Sequence, residues 1–321
     1  MPEFLIVKPS SLGDIIHGLQ VAQTLKEQIS EMKVSWIVRD TFAPLVEVCD
    51  TVDHIYPFYR KGGCSGFYRL IQQIRKKKFD EVLDMQGLAR SGLMTFFAKA
   101  KHKIGRSDAR EGARIFYSET APLPPSGSGT HAIEILLQFC KKFDLKSELK
   151  GRLKFKPTPS DNIPEGLLEK KPILLFPNSR RPEKEWPYFG SLTSRLFTEI
   201  PDGTVVWVGN DPIPESQEES SHSFYNLLGK TTLTDLPTLI EAASLVISND
   251  SGPMHLAAAM DTPVLALFGP TAPEMYGPYP LDKPSHCIVK APQGDLNQLK
   301  VETVLNALRP MLKKDQKISS L

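Results

Sequence analysis

Three segments of the sequence combine residue types that can bind phosphate or accept a proton, and each follows a short apolar run. The first, Lys8–His17, reads Lys-Pro-Ser-Ser-Leu-Gly-Asp-Ile-Ile-His. We assign Ser10, Ser11 and Gly13 to an active-site turn, in which the glycine lets the backbone come close to a ligand. Asp14 falls at the start of a predicted helix, where its carboxylate can act as a catalytic base. A carboxylate that only caps the helix is an equally good interpretation of this position.

The second segment, Asn249–Ala259, reads Asn-Asp-Ser-Gly-Pro-Met-His-Leu-Ala-Ala-Ala. Its proline suits the start of a helix, with Asp250 and Ser251 at the cap and Gly252 allowing close backbone approach. The N–H groups at such a helix start form an anion site that fits a diphosphate. His255, in the first turn, can add a donor or a positive charge. An ordinary capped helix is the alternative, although Asp, Ser, Gly and His at one strand end exceed what capping needs.

The third segment, Phe176–Pro187, follows the first strand predicted in the second half of the chain. Four of its side chains can reach phosphate oxygens, the arginines in bidentate fashion and the lysine as a point charge. They are Ser179, Arg180, Arg181 and Lys184. A solvated basic loop that precedes a helix is the alternative interpretation.

Several motifs are absent from the sequence. No two aspartates stand in D-x-D spacing, no His or Cys cluster supplies metal ligands, and the four cysteines are scattered. We therefore expect no metal and no cofactor, so that a helix dipole, Lys and Arg must meet the diphosphate charge. Neither a P-loop nor a G-x-G-x-x-G fingerprint occurs, which disfavours a kinase, an ATPase or a typical dinucleotide site.

Short β-branched runs alternate with longer helical stretches along the whole chain, which predicts βαβ units and parallel sheets. The predicted strands are Phe4–Lys8, Val34–Val38, Asp53–Tyr56, Glu81–Asp84, Ile173–Phe176, Thr204–Val208, Tyr225–Leu228, Leu245–Ser248 and Val264–Phe268. The predicted helices are Asp14–Ile29, Gly66–Lys77, Leu88–Ala98, His131–Phe143, Trp186–Glu199, Asp235–Ala243, Pro253–Ala259 and Leu296–Leu312. Prolines and glycines make Ala121–Gly129 a loop, and Lys156–Pro164 is the better domain linker.

These elements predict an α/β fold of two Rossmann-like, doubly wound parallel-sheet domains that face a central cleft. We place the domains at residues 1–160 and 161–321, the second with a closing C-terminal helix. Residues 1–160 carry a net charge of +8 and residues 161–321 a net charge of −6. A basic first half indicates a partner rich in phosphate or carboxylate, or an anionic membrane surface. Stacking aromatics are not interleaved with the basic clusters, which disfavours nucleic acid.

Targeting signals do not stand out in the sequence. No apolar run reaches the length of a membrane span, and the N-terminus lacks the pattern of a secretory signal. We expect a cytoplasmic protein, in which the basic first half can make peripheral contact with an anionic membrane.

The chain resembles glycosyltransferase family 9, the lipopolysaccharide heptosyltransferases. The resemblance rests on Ser-Ser-Leu-Gly-Asp-Ile-Ile-His near the start, on Asn-Asp-Ser-Gly-Pro-Met-His-Leu-Ala-Ala-Ala, and on the later Ala-Leu-Phe-Gly-Pro-Thr. Order and spacing agree from Phe4 to about Leu312. Within the family the chain is most similar to the heptosyltransferase I type, because Glu183-Lys184-Glu185-Trp186 resembles its lysine-bearing loop.

The resemblance implies a GT-B fold, an ADP-heptose donor, and an inverting transfer to a Kdo sugar on lipid A. It also implies peripheral contact of the protein with the cytoplasmic face of the inner membrane. It assigns the base to Asp14 and donor-phosphate binding to Lys184. Asp250, Ser251, Gly252 and His255 would line the nucleotide site, and Glu215 would bind the ribose. The chain departs from the type I pattern at Ser179-Arg180, where that type has two threonines.

Two other functions fit the same two-domain shape. A nucleotide-sugar epimerase would need acid and base groups on both faces of one sugar carbon, and the sequence offers only Asp14. A non-catalytic nucleotide-sugar-binding module would not need both Asp14 and Lys184. A glycosyltransferase that uses another nucleotide sugar or another glycan acceptor also remains open.

Overall fold

The computed structural model describes residues 1–212 and 224–318, with the side chains of 313–318 left out. The chain divides into two compact units, Met1–Pro157 and Thr158–Leu321. The division falls inside the proline-rich segment 156–164. Each unit is an α/β body with its own parallel sheet.

The first unit contains six strands and five helices. The strands are β1 (Glu3–Val7), β2 (Lys33–Arg39), β3 (His54–Phe58), β4 (Lys78–Asp84), β5 (Lys99–Arg106) and β6 (Glu119–Ala121). The helices are α1 (Leu12–Gln28), α2 (Ala43–Glu47), α3 (Gly63–Ile74), α4 (Ala89–Phe97) and α5 (Ala132–Lys141). The strand order is β3-β2-β1-β4-β5-β6, and each neighbouring pair is parallel.

The second unit repeats this plan. Its strands are β7 (Ile173–Phe176), β8 (Val205–Gly209), β9 (Phe224–Leu228), β10 (Leu245–Asn249), β11 (Val264–Phe268) and β12 (His286–Lys290). Its helices are α6 (Phe189–Glu199), α7 (Asp235–Ala242), α8 (Gly252–Ala259), α9 (Pro273–Tyr276) and α10 (Val301–Ile318). The order β12-β11-β10-β7-β8-β9 is the same topology, read from the opposite edge.

Both sheets reverse their winding direction between the first and fourth strands of the unit, at β1/β4 and at β7/β10. Open α/β sheets bind ligands at the carboxyl edge of such a switch point. β1 and β10 are buried along almost their whole length, as strands covered on both faces must be. The residues that follow β1, β4, β7 and β10 are therefore the candidates for ligand binding in the two units.

The predicted fold class is confirmed, and most predicted elements lie within a few residues of the observed ones. Three predicted boundaries were wrong. Trp186, itself buried, lies in the loop before α6, which begins only at Phe189. Helix α3 ends at Ile74, so that Lys76 and Lys77 lie in the turn before β4. The last long helix begins at Val301, after a separate 3-10 turn at Leu296–Gln298. Ala121, predicted as loop, is the last residue of β6.

Three strands, β5, β6 and β12, were missed by the sequence patterns. β5 reads Lys-Ala-Lys-His-Lys-Ile-Gly-Arg, and its cations hide the strand because only its last third is buried. The parallel pairing with β4 makes this segment a strand, and the pattern of residues within the segment does not indicate that pairing. Among the described residues, no helix is long and apolar enough to cross a membrane.

Candidate active site

The turn after β1 brings Asp14 to the carboxyl edge of the first sheet. Ser11 is the N-cap of α1, and Asp14 is the third helical residue. The Ser11 backbone N–H and hydroxyl both donate to Asp14 Oδ2, at 3.0 and 2.6 Å. Asp14 therefore does cap the helix, as the alternative interpretation held. Capping occupies only Oδ2, and the side chain remains 44% exposed, so Oδ1 is left for other chemistry.

Two further residues of the turn have defined places. Gly13 is the second residue of α1 and is half-buried. The backbone N–H of Ser10 points to Gln86 Oε1 at 3.4 Å, which ties the turn to the loop after β4. Ser10, Ser11, Gly13 and Asp14 thus form one local structure at the β1/β4 switch point.

Lys8, which the sequence patterns did not single out, lies beneath Asp14. Its ammonium is 3.5 Å from Asp14 Oδ1 and donates to the Met85 carbonyl at 3.0 Å. Burial would raise the pKa of Asp14, but Lys8 and the two Ser11 hydrogen bonds outweigh it and hold that pKa well below its ordinary value. Asp14 is consequently a carboxylate at any physiological pH.

In the second sheet, Lys184 and Asp250 meet at the β7/β10 switch point. Lys184 ends a 3-10 turn in the loop after β7, and its ammonium lies 2.5 Å from Asp250 Oδ2. The Thr271 hydroxyl, from the loop after β11, donates to the same oxygen at 2.6 Å. The Lys184 and Asp250 side chains are only 15% and 6% exposed. Lys184 is thus a partly desolvated cation with a fixed direction.

Helix α8 starts two residues after Asp250. Ser251 is its N-cap, and the Ser251 hydroxyl pairs with Ser248 Oγ at 3.2 Å rather than with a backbone N–H of the helix. The first turn contains Gly252 and the buried His255. The predicted grouping of Asp250, Ser251, Gly252 and His255 at one strand end is the arrangement observed, and Lys184 joins it.

Asn249, the last residue of β10, clamps the lysine-bearing loop at both ends. Its side chain is fully buried, accepts from the Trp186 backbone N–H at 3.1 Å and donates to the Pro177 carbonyl at 2.7 Å. Inside the loop, the Ser179 N–H donates to Glu185 Oε1 at 2.6 Å. These contacts give the loop one conformation, which positions Lys184.

The other predicted phosphate-binding residues of this loop occupy different surroundings. Arg180 is exposed. Arg181, exposed as well, is held by Glu183 at 2.5 Å, and Ser179 is half-buried. The structure therefore brings Lys184 to Asp250 and leaves both arginines on the surface of the loop. Glu215 lies outside the described residues.

A cavity of about 500 Å³ opens beside the lysine-bearing loop, between the ends of β7 and β8. Asn178, Glu185, Trp207 and Asp211 are among the residues that line it. Its size is in the range of small-molecule sites. Within the described residues, no group of three His, Cys, Asp or Glu side chains is arranged to hold a metal ion.

The basic residues of the first unit lie at two opposite edges of the sheet. Arg60 and Lys61 follow β3, Arg90 follows β4, and Arg110 donates its N–H to Gly87 O in the loop after β4. These four share the carboxyl edge with Asp14. Residues just before or early in the strands lie toward the other edge, where two lysines form ion pairs: Lys77, before β4, with Glu3 at 2.7 Å, and Lys101, the third residue of β5, with Asp80 at 2.6 Å.

Known proteins that are similar to this chain are heptosyltransferases. The family model "Glycosyltransferase family 9 (heptosyltransferase)" matches residues 67–307. The lipopolysaccharide core heptosyltransferase OpsX of Haemophilus influenzae is 29% identical, over 85% of this chain and 81% of that protein. Lipopolysaccharide heptosyltransferase 1 of Escherichia coli K12 is 27% identical, over 95% of this chain and 98% of that protein.

Solved structures agree on the fold. The E. coli heptosyltransferase WaaC with ADP matches with a TM-score of 0.80 at 23% identity, covering 96% of this chain and 99% of that one. The fold of the two Rossmann-like units is thus that of the GT-B heptosyltransferase structures. The family match, rather than the fold, sets the epimerase interpretation aside. The match spans three quarters of the sequence, and the chain belongs to glycosyltransferase family 9 (heptosyltransferase).

Proposed function

We propose that the protein transfers a heptose from ADP-heptose to a Kdo-bearing, lipid A-type acceptor in lipopolysaccharide core synthesis, by inverting displacement without a metal ion. The names of the relatives support the pathway, and the solved relative with ADP supports the nucleotide. One observation in this chain carries the proposal. A partly desolvated lysine, Lys184, is fixed by Asp250 beside a helix N-terminus at a switch point.

The donor diphosphate fits this second site. Lys184 supplies a positive charge, and the start of α8 supplies backbone N–H groups and the positive end of the helix dipole. The leaving ADP gains negative charge as the glycosidic bond breaks, and both features stabilise that charge in the transition state. Because Lys184 is already held by Asp250, little reorganisation is needed. The adjacent cavity of about 500 Å³ is large enough for the nucleoside.

The acceptor hydroxyl attacks with Asp14 as base. Ser11 occupies Oδ2 with two hydrogen bonds, so the proton goes to Oδ1. A carboxylate with a lowered pKa is a weak base, and it takes the proton late, once the new C–O bond has made the hydroxyl acidic. A diphosphate leaves without a general acid, and a single displacement inverts the anomeric centre.

The acceptor is anionic, and the proposal places its phosphates and carboxylates against Arg60, Lys61, Arg90 and Arg110. These cations share the carboxyl edge with Asp14, whereas Lys77 and Lys101 lie at the other edge and already have carboxylate partners. An acceptor embedded in the inner membrane would bring the protein to the cytoplasmic face of that membrane as a peripheral protein.

The proposal is tested by following ADP release from a panel of nucleotide sugars, with and without Kdo-lipid A. ADP-heptose should release ADP in an acceptor-dependent reaction that survives EDTA, and the product should gain the mass of one heptose. Reaction only with another nucleotide sugar, or interconversion of the donor without transfer, would contradict it.

A further inference from the structure

Lys8 is a lysine in a place where lysines are rarely found. It follows the last residue of β1, and only 1% of its surface is exposed. Helix α1 passes directly over its aliphatic stem, because a Cβ on Gly18 would lie 3.5 Å from Lys8 Cγ. Taking an ammonium out of water costs several kcal/mol unless a partner compensates it.

Two carboxylates act on Lys8, one of them buried and the other half-buried. Asp84, at the end of β4, is fully buried and already engaged: its oxygens accept the Gln86 and Gly87 N–H groups and the Tyr117 hydroxyl. Asp14, by contrast, has only Ser11 on Oδ2, and its Oδ1 lies 3.5 Å from the Lys8 ammonium. Asp14 is thus the carboxylate toward which Lys8 directs its charge.

We propose that Lys8 is a positioning residue for sugar transfer: from beneath the turn its charge fixes the direction of the Asp14 carboxylate and presents Oδ1 to the acceptor hydroxyl. This role rests on the proposed function, in which Asp14 is the base. A lysine with a structural role alone would tolerate an apolar replacement of similar volume, since buried ion pairs contribute little net stability. A lysine that fixes the direction and the pKa of a catalytic carboxylate would not tolerate such a replacement.

The other charged groups near the pair are few. His17, one turn along α1, adds a weaker favourable charge to Asp14, and its ring lies 5.6 Å from that of His131, at the start of α5. Asp84 from β4 and Arg106 from β5 act on Lys8 with opposite signs. Arg106 is itself paired with Asp108 at 2.6 Å. Lys8 is therefore the main source of positive charge at Asp14.

The first experiment titrates Asp14 directly, without catalysis. Carboxyl ¹³C shifts of aspartate-labelled protein are followed against pH, and Asp14→Asn identifies the Asp14 signal. Lys8→Met removes the largest of the contributions that lower the pKa of Asp14, so that pKa should rise by about 1 to 3 units. Lys8→Gln keeps a donor for the Met85 carbonyl but no charge, and should show the same shift even if Lys8→Met folds poorly. An unmoved Asp14 titration in a folded variant would overturn the proposal.

The second experiment measures kcat/KM against pH. A base is active above its pKa, so activity is lost as the pH falls through that value, and in Lys8→Met this acid limb should move to higher pH by the same amount. The control is Lys26→Met, which breaks an ion pair of the same unit with Asp53 (2.7 Å) and should leave the limb in place. If the pKa of Asp14 from the ¹³C titration rises but the acid limb of kcat/KM does not move, Asp14 is not the base. Lys8 then has no catalytic role through Asp14. An unmoved titration would remove the role of Lys8 and leave Asp14 as the base.

Discussion

Replacing Lys184 by methionine should weaken ADP binding about 10- to 100-fold. Methionine keeps an unbranched stem of similar length, so the main loss is the ammonium. A charge-assisted hydrogen bond in a partly desolvated site is worth about 1.5 to 3 kcal/mol, and each 1.4 kcal/mol is a factor of ten. The side chains of Lys184 and Asp250 are only 15% and 6% exposed, so that a phosphate held by Lys184 is poorly solvated. This range therefore applies to the Lys184–phosphate contact, rather than the smaller energies of surface ion pairs.

The same substitution also affects stability, and the two effects can be separated. Asp250 would lose its cation and keep only the Thr271 hydroxyl at 2.6 Å, so the free energy of unfolding should fall by about 1 to 3 kcal/mol. Asp250→Asn removes the carboxylate instead. The double variant Lys184→Met/Asp250→Asn should recover much of the stability, because no charge is left unpaired, but should not recover ADP binding.

Isothermal titration calorimetry with ADP measures the binding, and urea unfolding measures the stability. Lys170→Met is a matched control: Lys170 also belongs to the second unit, but it precedes β7 and donates to the Tyr225 hydroxyl at 2.7 Å. Its ADP affinity should be normal. An ADP Kd within about twofold of wild type in a folded Lys184→Met protein would refute the assignment of the phosphate site.

Three further predictions concern other parts of the molecule. Charge reversal at Arg60 and Arg110, at the carboxyl edge, should raise the acceptor KM about tenfold or more and leave the donor KM unchanged in steady-state kinetics. Lys101→Glu, toward the other edge, should change neither KM. Equal effects of all three substitutions would contradict the proposal that the acceptor binds at the carboxyl edge. Asn249→Asp should lower the free energy of unfolding by about 2 kcal/mol and raise the donor KM, because the Pro177 carbonyl loses its donor; urea unfolding with donor kinetics checks both. The pKa of Asp53 is held below its ordinary value: burial would raise it, but Lys26, Lys33 and the Val34 N–H outweigh burial. Asp53 therefore stabilises the fold above the unfolded pKa of about 3.9, and the unfolding curves of Asp53→Asn and wild type should differ at pH 7 and converge as the pH falls below that value.

The sequence was most informative where a hydrophobic run ends in a polar turn. β7 and β11 were predicted to the residue, because four or five buried apolar residues between polar turns have few alternatives. The same logic located Asp14, Asp250 and Lys184, since residues that follow parallel strands lie at one edge of the sheet.

The sequence was least informative where side chains distant in the chain meet. The sequence predicts Lys8 only as the last residue of the strand Phe4–Lys8, and no local pattern shows what its ammonium contacts. Packing against α1 and β4 buries it beside the Met85 carbonyl. Thr271 lies 21 residues after Asp250 and contacts it because β10 and β11 are neighbours. The Gly-Pro-Thr turn after β11 was a usable signal, because it lies at the same carboxyl edge. Arg181, predicted to reach phosphate, pairs with Glu183, two residues away, and the sequence prediction did not consider this partner.

The central claim is that Asp14 is the base of a transfer whose donor is held elsewhere, by Lys184 and α8. Single-turnover transfer from ADP-heptose by Asp14→Asn, measured beside its ADP affinity, tests this claim most directly. The account predicts a rate about 100-fold or more below wild type, with an ADP Kd unchanged within about twofold and the fold intact by circular dichroism. Near-normal transfer by the folded Asp14→Asn protein would contradict it.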